Sequence, residues 1–362
     1  MTAGPATDWQ TDLVAWFDER TRTHEFSGHA IAWRDGAPIF SFVGGFAHRG
    51  HGVAVTEGTR FAVASITKMA TAIAALRLVD RGELALHTPL IEILPADQRP
   101  TALTRQHTLH HLLSHTSGLA SYFDDDDSDP GAFAAVWDRL PTYHARRPAD
   151  LLPLFIDLPA VAPPGTEVRY NDGGFVLAGL VIEAVTGRPW DAVVADEVFG
   201  PAGMDDTGTE PLDSDPARLA VCYIRDDGPA DRWRTNIFSV TANPMPDGGM
   251  ITTPVDLARL IDALLGGGLL SPELLAAMTR PQGPPSTELV QWGYGCELIV
   301  VDGAVVVLGH GGGDPGVAAR VAHYPEAATT IVALCNEDRG ALAASIRIGA
   351  ALGVNEPRET PP

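Results

Sequence analysis

Residues 65–68 read Ser-Ile-Thr-Lys and open a helical pattern of apolar residues that runs to about Asp80, where Gly82 closes it. Residues three positions apart share one face of a helix, so this spacing puts the ammonium of Lys68 beside the hydroxyl of Ser65. The first turn of a helix also carries free backbone N–H groups and the positive end of the helix dipole. The stretch therefore predicts a reactive serine at a helix N-terminus.

Lys68 is the single lysine of the chain. Lysine and arginine together number 25, and all of the others are arginines. A serine hydroxyl needs a base to remove its proton, and burial can make a lysine such a base, whereas arginine stays protonated. Among twelve serines, chance puts one three residues before a sole lysine on the order of a few per cent of the time. We predict Ser65 as the nucleophile and Lys68 as its activator; the alternative is a surface lysine on an ordinary helix.

Composition limits the possible partners and compartments. The chain has 362 residues, a net charge of −21 and three widely separated cysteines without metal or redox spacing. The negative charge repels phosphates, so we expect no nucleic acid and no anionic lipid as partners. The sequence has no visible signal peptide and no apolar run near the ~18 residues of a membrane span. We therefore expect a cytoplasmic protein without disulfides.

Strand-like segments occupy both ends of the chain and helical patterns occupy the middle. Residues 27–46 predict a hairpin, and short apolar runs between 294 and 335 precede a last helix at 341–352. Predicted helices elsewhere cover residues 8–23, 109–115, 174–186, 190–198 and 256–265.

This order predicts an α+β fold with one antiparallel sheet, flanked by helices and built from both ends of the chain. We expect an α/β lobe from residues 1–85 plus 243–362. Residues 86–242 form the predicted second lobe, which is mainly or wholly helical.

Two further segments carry candidate chemistry. Tyr170-Asn171-Asp172 precedes an apolar helix, and a phenol beside a lysine can relay a proton between a serine and a leaving group. Residues 309–315 read Gly-His-Gly-Gly-Gly-Asp-Pro, and such glycines let a substrate approach the backbone, whose N–H could join that of Ser65 in an oxyanion hole. Taken singly, the tyrosine also fits a core position and the glycines an ordinary hairpin.

Together these residues resemble the serine β-lactamase and penicillin-binding-protein-like superfamily, in the branch of class C β-lactamases, DD-peptidases, esterases and D-amino-acid amidases. The Ser-x-x-Lys, Tyr-x-Asn and Lys/His-x-Gly elements occur in the expected order, and the resemblance spans roughly residues 10–350. It implies a catalytic site between two lobes, with Ser65 as the nucleophile and Lys68 and Tyr170 as the acid and base. It also implies an oxyanion hole formed by the amides of Ser65 and Gly313, and no metal or organic cofactor.

Two departures from the family pattern concern the residues expected to bind substrate. Asp172 replaces the usual asparagine, and an ionised carboxylate accepts but does not donate hydrogen bonds. We expect Asp172 to pair with Lys68 and hold it charged, so that Tyr170 could be the working base. His310 replaces the commoner lysine, and a neutral imidazole attracts a substrate carboxylate less strongly.

The sequence favours a serine esterase or amidase that acts on small-molecule esters or amides. A β-lactamase or DD-peptidase, an acyltransferase and a non-catalytic binding protein remain alternatives. A metal site is a further alternative, because His107, His110, His111 and His115 lie at spacings that could share a helix face. We expect no metal there, because no acidic ligand accompanies these histidines.

Overall fold

The computed structural model describes residues 9–123, 132–225 and 232–354. Ten α-helices lie in these ranges: α1 (Trp9–Arg22), α2 (Thr67–Asp80), α3 (Leu90–Ile93), α4 (Leu109–Leu113), α5 (Ala132–Arg139), α6 (Asp172–Thr186), α7 (Trp190–Val194), α8 (Pro254–Leu265), α9 (Pro272–Met278) and α10 (Ala341–Leu352).

The same ranges contain thirteen strands, several of them very short. They are β1 (Gly28–Arg34), β2 (Ala37–Gly44), β3 (Phe46–His48), β4 (Val53–Ala54), β5 (Phe61–Ala62), β6 (Tyr223–Arg225), β7 (Trp233–Thr235), β8 (Ile251–Thr252), β9 (Val290–Trp292), β10 (Glu297–Val301), β11 (Ala304–Asp314), β12 (Val317–Tyr324) and β13 (Thr329–Cys335).

Seven strands form one sheet in the order β2–β1–β13–β12–β11–β10–β9, and every neighbouring pair is antiparallel. The N-terminal hairpin pairs with the last strand, in a register that joins Gly28 to Cys335 and Ile31 to Val332. Both ends of the chain thus build one sheet, which confirms the antiparallel α+β architecture predicted from the sequence.

Helices cover both faces of this sheet. Strand β13 is buried along its whole length, and its side chains alternate between two cores because successive residues of a strand point to opposite faces. Ile331 and Ala333 belong to the core shared with α1 and α10, whereas Val332 and Leu334 belong to the core shared with α2 and α8. The second core also extends into the helices that follow α2.

Helices α3 to α7 all lie within residues 90–194 and contribute to this larger core. The region predicted as helical also contains β6 and β7, which pair with each other. Both segments are rich in aromatic and β-branched residues, which favour strands.

The predicted helix boundaries differ from the observed ones where local caps intervene. Helix α6 begins two residues before the predicted start, because the side chain of Asn171 accepts a hydrogen bond from Gly174 N at 2.6 Å and caps the helix at Asp172. Helix α8 likewise begins earlier, at a proline that follows the capping residue Thr253. Residues 195–199 continue α7 as a π-helical turn instead of an α-helix.

None of the helices in the described part of the chain is long and apolar enough to cross a bilayer. Cys222, Cys296 and Cys335 are all buried as free thiols. Burial raises the pKa of each thiol above its ordinary value, so these cysteines pack as small apolar residues.

The turn before α2 is fixed by the chain that leads into β8. Val63 N–H donates to the carbonyl of Met250 (3.0 Å), and Gly249 N–H donates to the carbonyl of Ala64 (3.2 Å). Ala64 has a φ of 45°, in the left-handed region that costs an alanine about 1–2 kcal/mol. The surrounding hydrogen bonds therefore hold a strained residue directly before Ser65.

Strand β11 reaches the same turn from another side. A Cβ atom added at Gly312 would lie 2.2 Å from the carbonyl oxygen of Val63, so only glycine fits there. At the adjacent Gly313, no atom lies within 4 Å of such a Cβ. The close approach at Gly312 brings the sheet against the segment that carries Ser65.

We expect Gly312→Ala to lower the free energy of unfolding by about 2 kcal/mol or more, because the new methyl group collides with backbone that cannot move freely. Gly313→Ala is the matched control on the same strand and should change it by less than about 0.5 kcal/mol. Urea unfolding of the two variants beside the wild type measures this difference. Equal losses would contradict the proposed close approach.

Candidate active site

The ammonium of Lys68 lies at the centre of the site and has no exposure to solvent. Its Nζ donates to Ser65 Oγ at 2.9 Å, to Asp172 Oδ1 at 2.6 Å and to the main-chain oxygen of Asp247 at 2.7 Å. An ammonium has three N–H donors, so these acceptors match its capacity. The structure brings together Ser65, Lys68 and Asp172, all of which the sequence singled out.

Two opposing effects act on the charge of Lys68. Burial lowers the pKa of its ammonium, but the carboxylate of Asp172, with smaller contributions from Tyr170 and Asp247, outweighs burial and raises the pKa above its ordinary value. Lys68 is therefore an ammonium at neutral pH. In this state Lys68 has no lone pair with which to take the proton of Ser65.

Tyr170 lies beside the side chains of Ser65 and Lys68. Its ring centroid is 4.8 Å from Lys68 Nζ, and its hydroxyl is close enough to Ser65 and Lys68 for both side chains to act on its pKa. Burial raises the pKa of the phenol above its ordinary value, although the charge of Lys68 acts in the opposite direction. Tyr170 is thus a neutral phenol close to both a serine hydroxyl and an ammonium.

The N-terminus of α6 positions Asp172. The N-capping residue Asn171 donates through Nδ2 to the carbonyl of Leu119 at 2.6 Å, and its backbone N–H donates to His115 Nδ1 at 3.0 Å. His115 in turn stacks on Tyr170, with ring centroids 4.5 Å apart. The positive end of the helix dipole favours negative charge in the first turn, the position at which Asp172 meets Lys68.

Asp247 is a site residue that the sequence did not predict. Its carboxyl group is 5% exposed, and Tyr122 donates a hydrogen bond to its Oδ2. Burial, and then the neighbouring charge of Asp172, raise the pKa of Asp247 to about 6. No motif or spacing named above marks Asp247 as a site residue, so only the fold identifies it.

His310 does not take the position expected for a substrate-binding residue. It is 2% exposed, its Nδ1 bonds to the carbonyl of Gly311, and its ring packs 5.4 Å from Trp292 and 6.3 Å from Tyr170. Burial lowers the pKa of His310 to about 4, so the imidazole is neutral. The His310 ring therefore packs beside Trp292 and Tyr170 and does not line the cleft.

A cleft of about 580 Å³ opens in front of Ser65. Of the residues predicted from the sequence, Ser65, Tyr170, Asp172 and Gly313 line this cleft, whereas His310 does not. Lys68 lies behind Ser65, out of contact with solvent. Ser65 thus presents its hydroxyl to a cavity, with the buried ammonium of Lys68 behind it and the neutral phenol of Tyr170 beside it.

The four histidines considered as metal ligands bond to the protein instead. Nδ1 of His107 and of His111 bonds to the threonine three residues earlier, and Nδ1 of His110 bonds to Tyr294. His115 accepts from Asn171, as described above. Within residues 9–123, 132–225 and 232–354, no cluster of histidine, cysteine and acidic side chains suits a metal ion.

Comparison with known proteins gives a family match and close structural likeness. Residues 13–355 match the family described as Beta-lactamase. The chain is 30% identical to penicillin-binding protein 4 of Amycolatopsis lactamdurans, over 83% of this chain and 78% of that protein. It is 34% identical to the esterase EstB of Burkholderia gladioli, over 80% and 79% of the two chains. The crystal structure of a penicillin-binding protein from Bacillus halodurans has a TM-score of 0.86 and 35% identity, covering 93% of this chain and 99% of that one.

The raised pKa of Asp247 predicts a pH-dependent stability. Between about pH 4 and 6 the folded protein keeps a proton that the unfolded chain releases, so stability falls as the pH rises through this window. A rise of about two pKa units corresponds to about 3 kcal/mol. Asp247→Asn should remove this loss of stability. Between pH 4 and 7, the free energy of unfolding of the wild type should therefore fall by about 3 kcal/mol more than that of the variant.

Urea unfolding at several pH values measures this difference. Asp302→Asn, which changes an exposed carboxylate in a hairpin turn, is the matched control and should follow the wild type. A wild-type profile parallel to that of Asp247→Asn would contradict the raised pKa.

Proposed function

The chain belongs to the β-lactamase family and is a serine hydrolase, and from this we propose that it is an esterase or simple amidase that forms an acyl-enzyme on Ser65. The observation that carries the proposal is the 2.9 Å hydrogen bond between Ser65 Oγ and the ammonium of the chain's only lysine. Its substrates would be small-molecule esters or amides. The buried free thiols also support a reducing, cytoplasmic location as part of the proposal.

Tyr170 moves the proton in the proposed reaction. Ser65 Oγ attacks the substrate carbonyl while its proton passes to the phenol oxygen of Tyr170, and the phenol proton passes to the leaving group, whose bond to the carbonyl carbon breaks. Water then attacks the carbonyl carbon of the acyl-enzyme and passes one proton to the phenol oxygen of Tyr170, while the phenol proton passes to Ser65 Oγ as the bond between Ser65 Oγ and the acyl carbon breaks. This route needs no free tyrosinate, which agrees with the raised pKa of Tyr170.

Lys68 supplies positive charge where negative charge develops on Ser65 Oγ. Its N–H donors are already oriented by Asp172 and Asp247, so little reorganisation accompanies the reaction. The amides of Ser65 and Gly313 are the proposed oxyanion hole, since both residues line the cleft.

Two observations favour esters and simple amides over β-lactams. The carboxylate of Asp172 is engaged with Lys68 and cannot donate to a substrate amide, as an asparagine would. The described residues that line the cleft include no lysine or arginine to meet a substrate carboxylate. The similarity to an esterase agrees with this choice.

A DD-peptidase or β-lactamase is the second candidate. It is favoured by the similarity to two penicillin-binding proteins. Turnover of nitrocefin at a rate comparable to that of simple esters would support this candidate over the first.

We expect Tyr170→Phe to lower kcat/KM for alkyl butyrates by about 10²–10⁴-fold, because the serine proton loses its path to the leaving group. The loss should be smaller for p-nitrophenyl butyrate, whose leaving group departs without protonation. Tyr143→Phe, at a 56% exposed tyrosine outside the cleft, is the matched control and should leave both rates unchanged. Equal losses for the two ester types would contradict a proton relay through Tyr170.

We expect Lys68→Arg to lower hydrolysis of p-nitrophenyl butyrate by at least about 100-fold, although it preserves the charge. The planar guanidinium cannot direct three donors at Ser65, Asp172 and the Asp247 carbonyl from a cavity shaped for an ammonium. Ser65→Ala sets the background rate, and circular dichroism verifies folding. Hydrolysis that survives the Lys68→Arg substitution would remove Lys68 from the mechanism.

A further inference from the structure

The cleft in front of Ser65 is larger than a short acyl group requires. Its volume of about 580 Å³ lies within the ~300–1,000 Å³ range of sites that enclose drug-sized ligands. An acetyl group, with only three heavy atoms, would leave most of this space to water. The cleft therefore has room for a substituent well beyond the reacting carbonyl.

Aromatic side chains form one wall of this space. Helix α5 presents Phe133 and Trp137, which lie one helical turn apart with ring centroids separated by 5.8 Å. Phe123 packs edge-on against Phe133, with centroids 5.1 Å apart. Further apolar side chains that line the cleft are Leu212, Val240 and Met245. An apolar group placed against this wall gains the free energy of leaving water.

The charge that lines the cleft is negative. Among the described lining residues the charged side chains are Asp172, Asp215, Asp247 and Asp314, and the only potential cation is His48. The two internal stretches outside the described residues, 124–131 and 226–231, contain no lysine, arginine or histidine. A substrate carboxylate would meet no lysine or arginine among the described residues that line this cleft, and it would lose part of its hydration there.

A second groove is lined by Trp292, a residue that packs against Tyr170. Trp292, whose ring centroid is 5.1 Å from that of Tyr170, lines a groove of about 340 Å³ together with Val168 and Gln291. Tyr170 lines the cleft and gives its proton to the leaving group in the proposed reaction, so we place the leaving group beside Tyr170, towards Trp292. The acyl group then occupies the larger, aromatic cleft.

We infer that the enzyme selects esters whose acyl group is bulky, apolar and free of negative charge, and that Phe123, Phe133 and Trp137 form the surface that recognises this group. The inference rests on the proposed function of Ser65 and adds the substrate class to it.

A series of p-nitrophenyl esters tests the apolar part of the inference. Each methylene buried against the wall should raise kcat/KM about three- to fourfold, so hexanoate should exceed acetate by more than tenfold. Trp137→Ala should reduce this ratio, because hexanoate loses more buried contact with the wall than acetate does. Phe238→Ala, at a 77% exposed aromatic residue outside the cleft, is the matched control and should retain the wild-type ratio.

A second variant keeps the test independent of any loss of folding in Trp137→Ala. Val240→Phe fills part of the cleft and should slow hexanoate several-fold more than acetate. Equal rates for hexanoate and acetate in the wild type would overturn the inference. So would a preference that appears only when the alcohol part of alkyl acetates is lengthened, because it would assign the cleft to the leaving group.

A matched pair of esters tests the charge. The p-nitrophenyl monoester of adipic acid carries a carboxylate at the end of the acyl chain, and its methyl ester is the neutral counterpart. We expect the anionic ester to react at least 30-fold more slowly in kcat/KM. Asp314→Asn and Asp215→Asn should each reduce the ratio of kcat/KM between the neutral and the anionic ester about threefold. Added salt should also reduce this ratio. Equal rates for the two esters would contradict the inference.

Labelling of Ser65 by a fluorophosphonate, followed by mass spectrometry, separates this inference from the proposed function. If Ser65 is labelled and the protein hydrolyses the acetate and hexanoate esters equally, the proposed function stands and the inference about the acyl group fails. Protein that is neither labelled nor active on any ester loses both.

Discussion

The buried ammonium of Lys68 constrains the rest of the site. A buried charge without partners costs several kcal/mol, so its three acceptors must be present together. They come from three separate parts of the chain: Ser65 from the turn before α2, Asp172 from the start of α6, and the Asp247 carbonyl from the loop before β8. Each of these segments is in turn fixed by the sheet or by a helix cap. Lys68 can reach all three acceptors only when these helices and the sheet are held in fixed relative positions.

The state of Lys68 also decides how a proton can move. An ammonium paired with Asp172 stabilises an alkoxide but does not accept a proton, and the phenol of Tyr170 remains neutral. A relay through Tyr170 satisfies both conditions, because the phenol gives up one proton as it takes another. An asparagine at position 172 could donate to a substrate but would leave the lysine charge less well compensated. In the proposed reaction, the aspartate at position 172 therefore affects both which group acts as the base and which substrates can be bound.

Much of the fold and part of the site could be predicted because the signals are local. The three-residue spacing of Ser65 and Lys68 fixes their contact on a helix, and the strand-like runs at both ends of the chain predicted the shared sheet. Asp247 could not be predicted, since nothing near it distinguishes it from other loop aspartates until the fold brings its loop to Lys68. The orientation of His310 follows from its strand: it shares a face with Gly312, which packs against Val63, so its ring points inward.

In the proposed reaction, different parts of this molecule activate Ser65 and select the acyl group. The residues that orient Ser65 belong to α2, the start of α6 and the approach to β8, whereas the apolar wall of the cleft belongs to α5 and to the segments that carry Leu212, Val240 and Met245. Substitutions in the wall can therefore change which acyl group fits without disturbing the nucleophile. Asp172 belongs to both parts, because its carboxylate holds Lys68 and also lines the cleft. Replacing this carboxylate would remove the partner of the ammonium and alter the charge that a substrate meets, so neither effect can be changed without changing the other. Asp247 differs, because it holds Lys68 through its main-chain oxygen and its side chain can be changed separately.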